Sequence, residues 1–489
     1  MNSNKKAIDK NLQEDSLTEL QQNSKRAVQS VLWYTAGNIL LKGIAFISTP
    51  IFTRLLSQSE FGAFNNISTW HALIAIFATL ELSSALLRAR IEFKDDIHSF
   101  MFSQLCLGNL VTLFLYGMVC LFMDHFVALT SVEPQYIHMM FICLLFSPAI
   151  TFISTHLRFQ YKYKHFAILS IGTSAATTII SVILVVLLED KLFGRAAGHF
   201  IVHGLIGICC YILIARKGFR IKPTYWKYAI NIAFPMTIHI LSLYILSSSD
   251  KLMITRICGT EQTALYSLAY SCGVVLSFIW SSLNSAFSPL IGDSLSKRDF
   301  SITKKITLPY LGIYLVPAIL LMLVSPELIY IMGGKNYAAA RLAIPPVVAG
   351  SVMQYLYTLY VNVEQYEKKT WGVAVGTISA AVINIVLNAL FIPIFGYIAA
   401  AYTTLACYSL LFAFHYLTVK KMRLNHCYNT RAVFAAALLA FLAAILSSIL
   451  FYSIWIRYAV IVIYGIIVLI VLLKYKNLIL SLIRGKVAL

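Results

Sequence analysis

Runs of about 20 mostly apolar residues recur from one end of this 489-residue sequence to the other. Each can cross roughly 30 Å of hydrocarbon as a helix. In hydrocarbon, backbone N–H and C=O groups must be satisfied within the protein, so a chain of this kind folds as helices or as a closed barrel. Runs of this length, without the alternation of a barrel strand, predict helices. Fourteen are read, at 29–52, 63–87, 99–122, 137–157, 166–188, 196–215, 228–250, 264–291, 306–332, 342–363, 371–394, 398–418, 432–454 and 458–473. With 59% apolar and only 12% charged residues, the chain lies far from soluble domains, where about a quarter of residues are charged. The expected fold class is an all-α integral membrane protein with about 14 transmembrane helices. Residues 1–28 carry Lys5, Lys6, Asp9, Glu14, Asp15, Glu19, Lys25 and Arg26 and no apolar core, which predicts a cytoplasmic tail in place of a secretory signal.

The formal charge of +19 raises the question of nucleic acid, and its placement answers it. Assigning loops alternately to two sides puts 30 of the 39 Lys and Arg on the side of both termini and 8 on the other, with Lys42 inside a span. Short loops bearing scattered cations build no nucleic-acid surface. They match the positive-inside rule and predict both termini in the cytoplasm. Nine cysteines, mostly inside spans, form no Cys-x-x-Cys and no Cys/His cluster with zinc spacing, so they read as small apolar side chains; no metal or cofactor is expected.

A repeat organises the spans. "IFTR" places Arg54 after the first span, and "MITR" places Arg256 after the seventh, an offset of 202. "GRAAGHF" from Gly194 and "GYIAAAY" from Gly396 recur at the same offset, "QYKYK" from Gln160 and "QYEKK" from Gln365 at 205, and "GTSAA" from Gly172 and "GTISAA" from Gly376 at 204. Six spans separate the copies. An even number returns the chain to the same side, so the halves are parallel repeats. The expected organisation is a tail (1–28), a six-helix bundle (29–227), a second six-helix bundle (228–418), and a region with two additional helices and a cytoplasmic tail (419–489).

The stretches "NILLKGIAFISTPIFTRLLSQSEFGAF" and "SSSDKLMITRICGTEQTALYSLAY" resemble the Wzx-type polysaccharide-unit (O-antigen or capsule) flippases of the multidrug/oligosaccharidyl-lipid/polysaccharide exporter superfamily. The likeness runs in order from about residue 28 to 418. It implies two six-helix bundles around a central cavity and alternating access, which carries an undecaprenyl-diphosphate-linked oligosaccharide from the inner to the outer leaflet of the bacterial cytoplasmic membrane. The implied partners are that lipid-linked glycan, the bilayer, a proton or sodium counter-ion and a polysaccharide polymerase. One departure stands out: Gln262, Thr263 and Ala264 replace the Glu60, Phe61 and Gly62 of the first half.

Candidate substrate-binding residues follow from polar groups where hydrocarbon should exclude them. A lysine at a helix centre costs about 2.5 to 3.5 kcal/mol on insertion scales, so Lys42 calls for a wet face, shared with Asn38, that attracts a diphosphate; the alternatives are neutralisation by a neighbouring carboxylate such as Glu81, or snorkelling to water. Glu81, Ser84 and Arg88 are expected on one helix face. Arg88 and Arg90 lie where an inner-leaflet diphosphate is first met, and guanidinium suits phosphate, although both also fit ordinary inside charge. His239 is read as a proton-coupling group or a packing residue, and Asn284 as a sugar-facing amide among Ser277, Ser281 and Ser288. Asp250 is expected to form a local charge pair with Lys251. Arg54 and Arg256 form either a cationic gate or a helix-end anchor repeated by duplication.

Three functions of different classes remain. A flippase needs no nucleotide motor, and no Gly-rich Lys-Ser/Thr loop exists in the sequence; two negative charges moved outward gain about 4 to 5 kcal/mol per 100 mV. A multidrug exporter of the same superfamily should favour an acidic cavity. A membrane-embedded polymerase or ligase should gather acids and bases on a sizeable outer loop, whereas the longest outer loop holds about 14 residues.

Overall fold

A computed structural model describes residues 43, 44, 46–160 and 162–474. Lys42 and Asn38, and with them most of the first expected span, lie outside these residues. Among the described residues the chain is helical and has no strand. Helix α1 covers 46–55. There follow α2 (Gln58–Thr79), α3 (Leu86–Glu92), α4 (Ile97–Leu121), α5 (Met123–Thr130), α6 (Pro134–Phe146), α7 (Pro148–Phe159), α8 (Tyr163–Leu187) and α9 (Lys191–Lys217). The remainder comprises α10 (Pro223–Cys258), α11 (Thr260–Lys297), α12 (Ser301–Leu323), α13 (Ser325–Gly333), α14 (Ile344–Tyr366), α15 (Thr370–Phe395), α16 (Tyr397–Lys421), α17 (Thr430–Leu450) and α18 (Ile454–Lys474).

Eleven helical stretches among the described residues are long and apolar enough to cross a membrane, and twelve if α2 and Leu82–Glu92, bent by 51°, form one broken span. The apolar part of α18, Ile454–Ile470, is shorter. The expected fourteen is thus not reached among these residues. Span 2 was expected to be continuous and is not. Leu80 and Glu81 adopt left-handed φ of 47° and 48°, which breaks the helix, and Leu82–Ala85 winds as a 3-10 turn. Left-handed backbone costs of order 1 to 3 kcal/mol at non-glycine residues, so this bend is imposed by its surroundings. Glu81 therefore sits at the start of a turn, with no capping hydrogen bond from its side chain, and not on a continuous face with Ser84 and Arg88.

The described residues divide into two compact units, one of those in 43–48, 75–123 and 134–237, the other of 49–74, 124–133 and 238–474. In the first unit, buried Leu82, Leu86 and Ala89 pack with Phe100 and Met101 of α4, Phe152 of α7, Ile214 of α9 and Ala229 of α10. Small residues let helices close up: a Cβ on Gly198 of α9 would lie 2.4 Å from the Ser181 Cα of α8, the close approach that membrane helices use where no hydrophobic force separates lipid from protein. At one edge Lys222 donates to Asp96 at 2.5 Å and to the Tyr225 hydroxyl at 3.0 Å; the Asp96 carboxylate holds the ammonium above the ordinary lysine range.

In the second unit α14 is the central helix, buried along most of its length. Tyr314 of α12 stacks on Tyr355 of α14 at 4.3 Å, and Phe287 of α11 on Tyr310 at 4.0 Å. Such ring pairs stabilise beyond their buried area by about 0.5 to 1.5 kcal/mol each. α17, the first helix beyond the duplicated unit, joins this cluster through Phe434, 5.4 Å from Phe412 of α16.

Candidate functional site

The second unit contains a polar network inside its membrane-spanning helices, centred on Asp250. That carboxylate is fully buried. Its Oδ2 accepts from the Tyr266 hydroxyl of α11 at 2.5 Å and from Thr404 Oγ1 of α16 at 2.7 Å. Oδ1 accepts from Asn388 Nδ2 of α15 at 2.6 Å. Around this centre, Asn384 donates to Thr404 Oγ1 at 3.1 Å, and its own Oδ1 accepts from Asn388 at 3.1 Å and from Ser249 at 3.3 Å. Thr403 donates to Asn388 Oδ1 in a short bond. Four helices thus converge on one carboxylate.

The expected Asp250–Lys251 pair does not form. Successive residues on a helix diverge by about 100°, and Lys251 turns instead to the ring of Tyr270, 5.3 Å from its centroid. Every side chain that donates to Asp250 is neutral. A buried carboxylate whose hydrogen-bond donors are all neutral, with the adjacent Lys251 acting on it only through space, is costly when charged, so the site is chemically suited to carry a proton or a hard monovalent cation among its carboxylate, amide and hydroxyl oxygens. Among the described residues no group of three or more His, Cys, Asp or Glu forms a metal cluster. The sequence held a signal for this site that was not read: Asn384 and Asn388, four apart in the apolar "VINIVLNALF", and the pair Thr403–Thr404 mark facing stripes on two helices.

A second buried pair escaped the sequence reading. Glu364 of α14 and His415 of α16, both fully buried, are linked Oε1 to Nδ1 at 2.8 Å, while Glu364 Oε2 and His415 Nε2 have no partner among the described residues.

The other candidates divide by role. Arg88 makes an exposed i,i+4 contact with Glu92 at 4.0 Å, a geometry of small energetic weight. Arg90 donates to the Phe159 carbonyl at 2.8 Å and lies 5.0 Å over that ring, so it caps the C-terminus of α7. His239 is half-buried on α10. Asn284 of α11 accepts from Asn362 of α14 at 2.9 Å. Arg54 donates to the Pro50 carbonyl at 3.0 Å and to Ile331 at 2.8 Å, and Arg256 to the carbonyls of Ala128 at 2.7 Å and Leu129 at 3.1 Å. Both therefore act as helix-end anchors in this structure.

The departure at Gln262 also has a structural reason. Its Oε1 accepts from the backbone N–H of Tyr397 at 3.0 Å and so caps the start of α16, where Gly396 turns the chain at φ 65°. A Cβ on Gly396 would meet that same Oε1 at 2.5 Å.

The described residues form a helical multi-pass membrane protein with ionisable groups buried between its spans, a pattern that marks functional sites inside membrane proteins. The family described as "Polysaccharide biosynthesis protein" matches residues 27–295, and the chain belongs to that family, within the multidrug/oligosaccharidyl-lipid/polysaccharide exporter superfamily. A second description, "MatE", matches residues 235–390. The succinoglycan biosynthesis transport protein ExoT of Rhizobium meliloti (strain 1021) is 29% identical over 94 residues, 19% of either chain. Among solved structures, the lipid II flippase MurJ in an inward closed conformation superposes with a TM-score of 0.67 at 14% identity, covering 92% of this chain and 100% of its own. An inward-facing multidrug resistance transporter of the MATE family gives 0.60 at 13% identity, covering 81% and 98%.

Proposed function

We propose that this protein is a flippase that moves undecaprenyl-diphosphate-linked oligosaccharide units from the inner to the outer leaflet of the bacterial cytoplasmic membrane by alternating access, for cell-surface polysaccharide biosynthesis. The observation that carries the reading is the extent of the fold likeness. The lipid II flippase accounts for 92% of the chain and the multidrug transporter for 81%, a difference of roughly a tenth of the chain, comparable in size to α17 and α18. The match of a polysaccharide biosynthesis family over residues 27–295 supports it. The 30 to 8 division of cations supports cytoplasmic termini. Asp250 and its neutral donors suit a proton or sodium counter-ion; Lys42, Asn38, Arg88 and Arg90 remain candidates for the diphosphate-bearing end of the substrate, and Glu81 for pairing with a cation or with Lys42.

The test is genetic and chemical. Cells lacking this protein should accumulate lipid-linked oligosaccharide on the inner leaflet while its assembly continues. Normal surface glycan, with no second flippase present, overturns the assignment, and cation efflux without any lipid-linked substrate favours the multidrug reading. Within the rescued strain, Lys42→Gln should reduce export per folded protein strongly while Lys42→Arg retains a substantial part.

A further inference from the structure

The repeated arginines are joined to the repeat itself in a crossed arrangement. Arg54, from the first half, donates to the carbonyl of Ile331 in the last turn of α13, which belongs to the second half. Arg256, from the second half, donates to the carbonyls of Ala128 and Leu129 in the last turn of α5, which belongs to the first. Arg54 and Arg256 are 202 apart, and so are Leu129 and Ile331. Each arginine therefore grips the equivalent carbonyl of the other repeat.

Neighbouring contacts follow the same crossing. Thr53 Oγ1 donates to the Met332 carbonyl at 2.5 Å. Ser59 Oγ and Thr260 Oγ1 are 2.8 Å apart, and Gln58 Nε2 donates to the Glu261 carbonyl at 3.2 Å. At the start of α2, a Cβ on Gly62 would lie 1.8 Å from the Thr260 carbonyl oxygen and 3.1 Å from the Ala264 nitrogen. This explains why one copy of the turn has glycine and the other alanine: the helix starts touch too closely for a methyl group on α2. The last carbonyls of a helix lack intrahelical partners and carry the negative end of its dipole, so a guanidinium satisfies them with charge-assisted bonds. Through these contacts segments 49–74 and 124–133 of the first half are packed into the unit otherwise formed by 238–474.

We propose that Arg54 and Arg256 form a reciprocal two-point latch that holds the two repeats together at this end of the molecule and must release both helix ends before the transporter opens there. The proposal rests on the alternating-access reading; on the topology argued above, the latched end is the outer one. The two grips are equivalent and act in parallel, so breaking one weakens the closed state and breaking both compounds the effect.

Spin labels on cysteines at Ser131 and Lys335, just beyond α5 and α13, report separation of the two helix ends by pulsed dipolar spectroscopy in lipid nanodiscs without substrate. Both arginines are exposed, so Arg54→Gln or Arg256→Gln alone should raise the ratio of long-distance to short-distance populations about twofold to fivefold, and the double variant about tenfold. Gly62→Ala should raise it by the steric route. A Ser59→Cys/Thr260→Cys disulfide should abolish the long-distance component, which serves as the test if the double variant does not fold. An unchanged distribution in the folded double variant, or a disulfide-locked protein that still populates the long distance, overturns the latch. Because the readout needs no substrate, a protein that proves to carry another cargo still tests it, and confirmed glycan export with an unmoved distribution rejects the latch alone.

Discussion

Replacing Asp250 by asparagine separates a structural carboxylate from one that binds a cation, because the two side chains have nearly the same shape. In the wild type, Oδ2 accepts from Tyr266 and Thr404 and Oδ1 from Asn388. An asparagine that turns its oxygen toward Tyr266 and Thr404 presents an NH2 group to the NH2 of Asn388. Asn388 must then rotate and give up its bond to Asn384. One such conflict costs about 1 to 3 kcal/mol, within the margin of a folded protein. Asp250→Ala, by contrast, leaves three buried donors without acceptors, about 3 to 9 kcal/mol on the same scale, and should not accumulate. The asparagine variant is therefore the informative one.

A cation bound only by the folded state adds about 2.7 kcal/mol at a hundredfold excess over its dissociation constant. The assay is the thermal midpoint of purified protein in detergent as sodium is varied at fixed pH, and as pH is varied at fixed sodium. Wild type should gain stability with one of the two cations. Asp250→Asn should start lower and lose that dependence, together with coupled export. An Asp250→Asn protein with the wild-type sodium and pH response refutes the assignment of the network as the counter-ion site.

Two further predictions concern accessibility. Single cysteines at Ser131 and Lys335 in a cysteine-free background should react with an impermeant maleimide on intact cells, whereas exposed positions in 216–227 and 419–431, such as Arg220 and Lys421, should react only after permeabilisation; the reverse pattern would invert the proposed direction. Cys427, on the short turn Asn425–Cys427, is fully buried, and burial pushes its thiol up to about 12. It should therefore stay unmodified at pH 8 until the protein unfolds, and rapid labelling of the native protein would contradict the packing of that turn.

The membrane class was fixed by physics that acts on each segment separately. A run of 20 apolar residues has one low-energy place to go, and backbone hydrogen bonding leaves it one shape there. The repeat was legible for a similar reason: duplication leaves "FTR" and "ITR" at a constant offset whatever surrounds them. Asp250 illustrates what such reasoning misses. From the sequence its nearest opposite charge is Lys251, but helix geometry sends the two apart, and the groups that satisfy Asp250 come from Tyr266, Asn388 and Thr404 on three other helices.

The break at Leu80–Glu81 was equally invisible, since no proline or glycine marks it and left-handed backbone at such residues is sustained only by surrounding structure. The chemical role of Arg54 and Arg256 was beyond sequence too. The repeat predicted that they correspond, but a guanidinium can serve a phosphate or a helix end. The carbonyls of Ile331 and Leu129 that decide between them in this structure lie 277 and 127 residues away along the chain. Sequence alone determined that the chain is a bundle of membrane helices and carries repeated motifs, because hydrophobic length and repetition are local properties. Which polar groups meet was decided by tertiary packing, because in hydrocarbon a polar side chain must find its partner on whichever helix presents one.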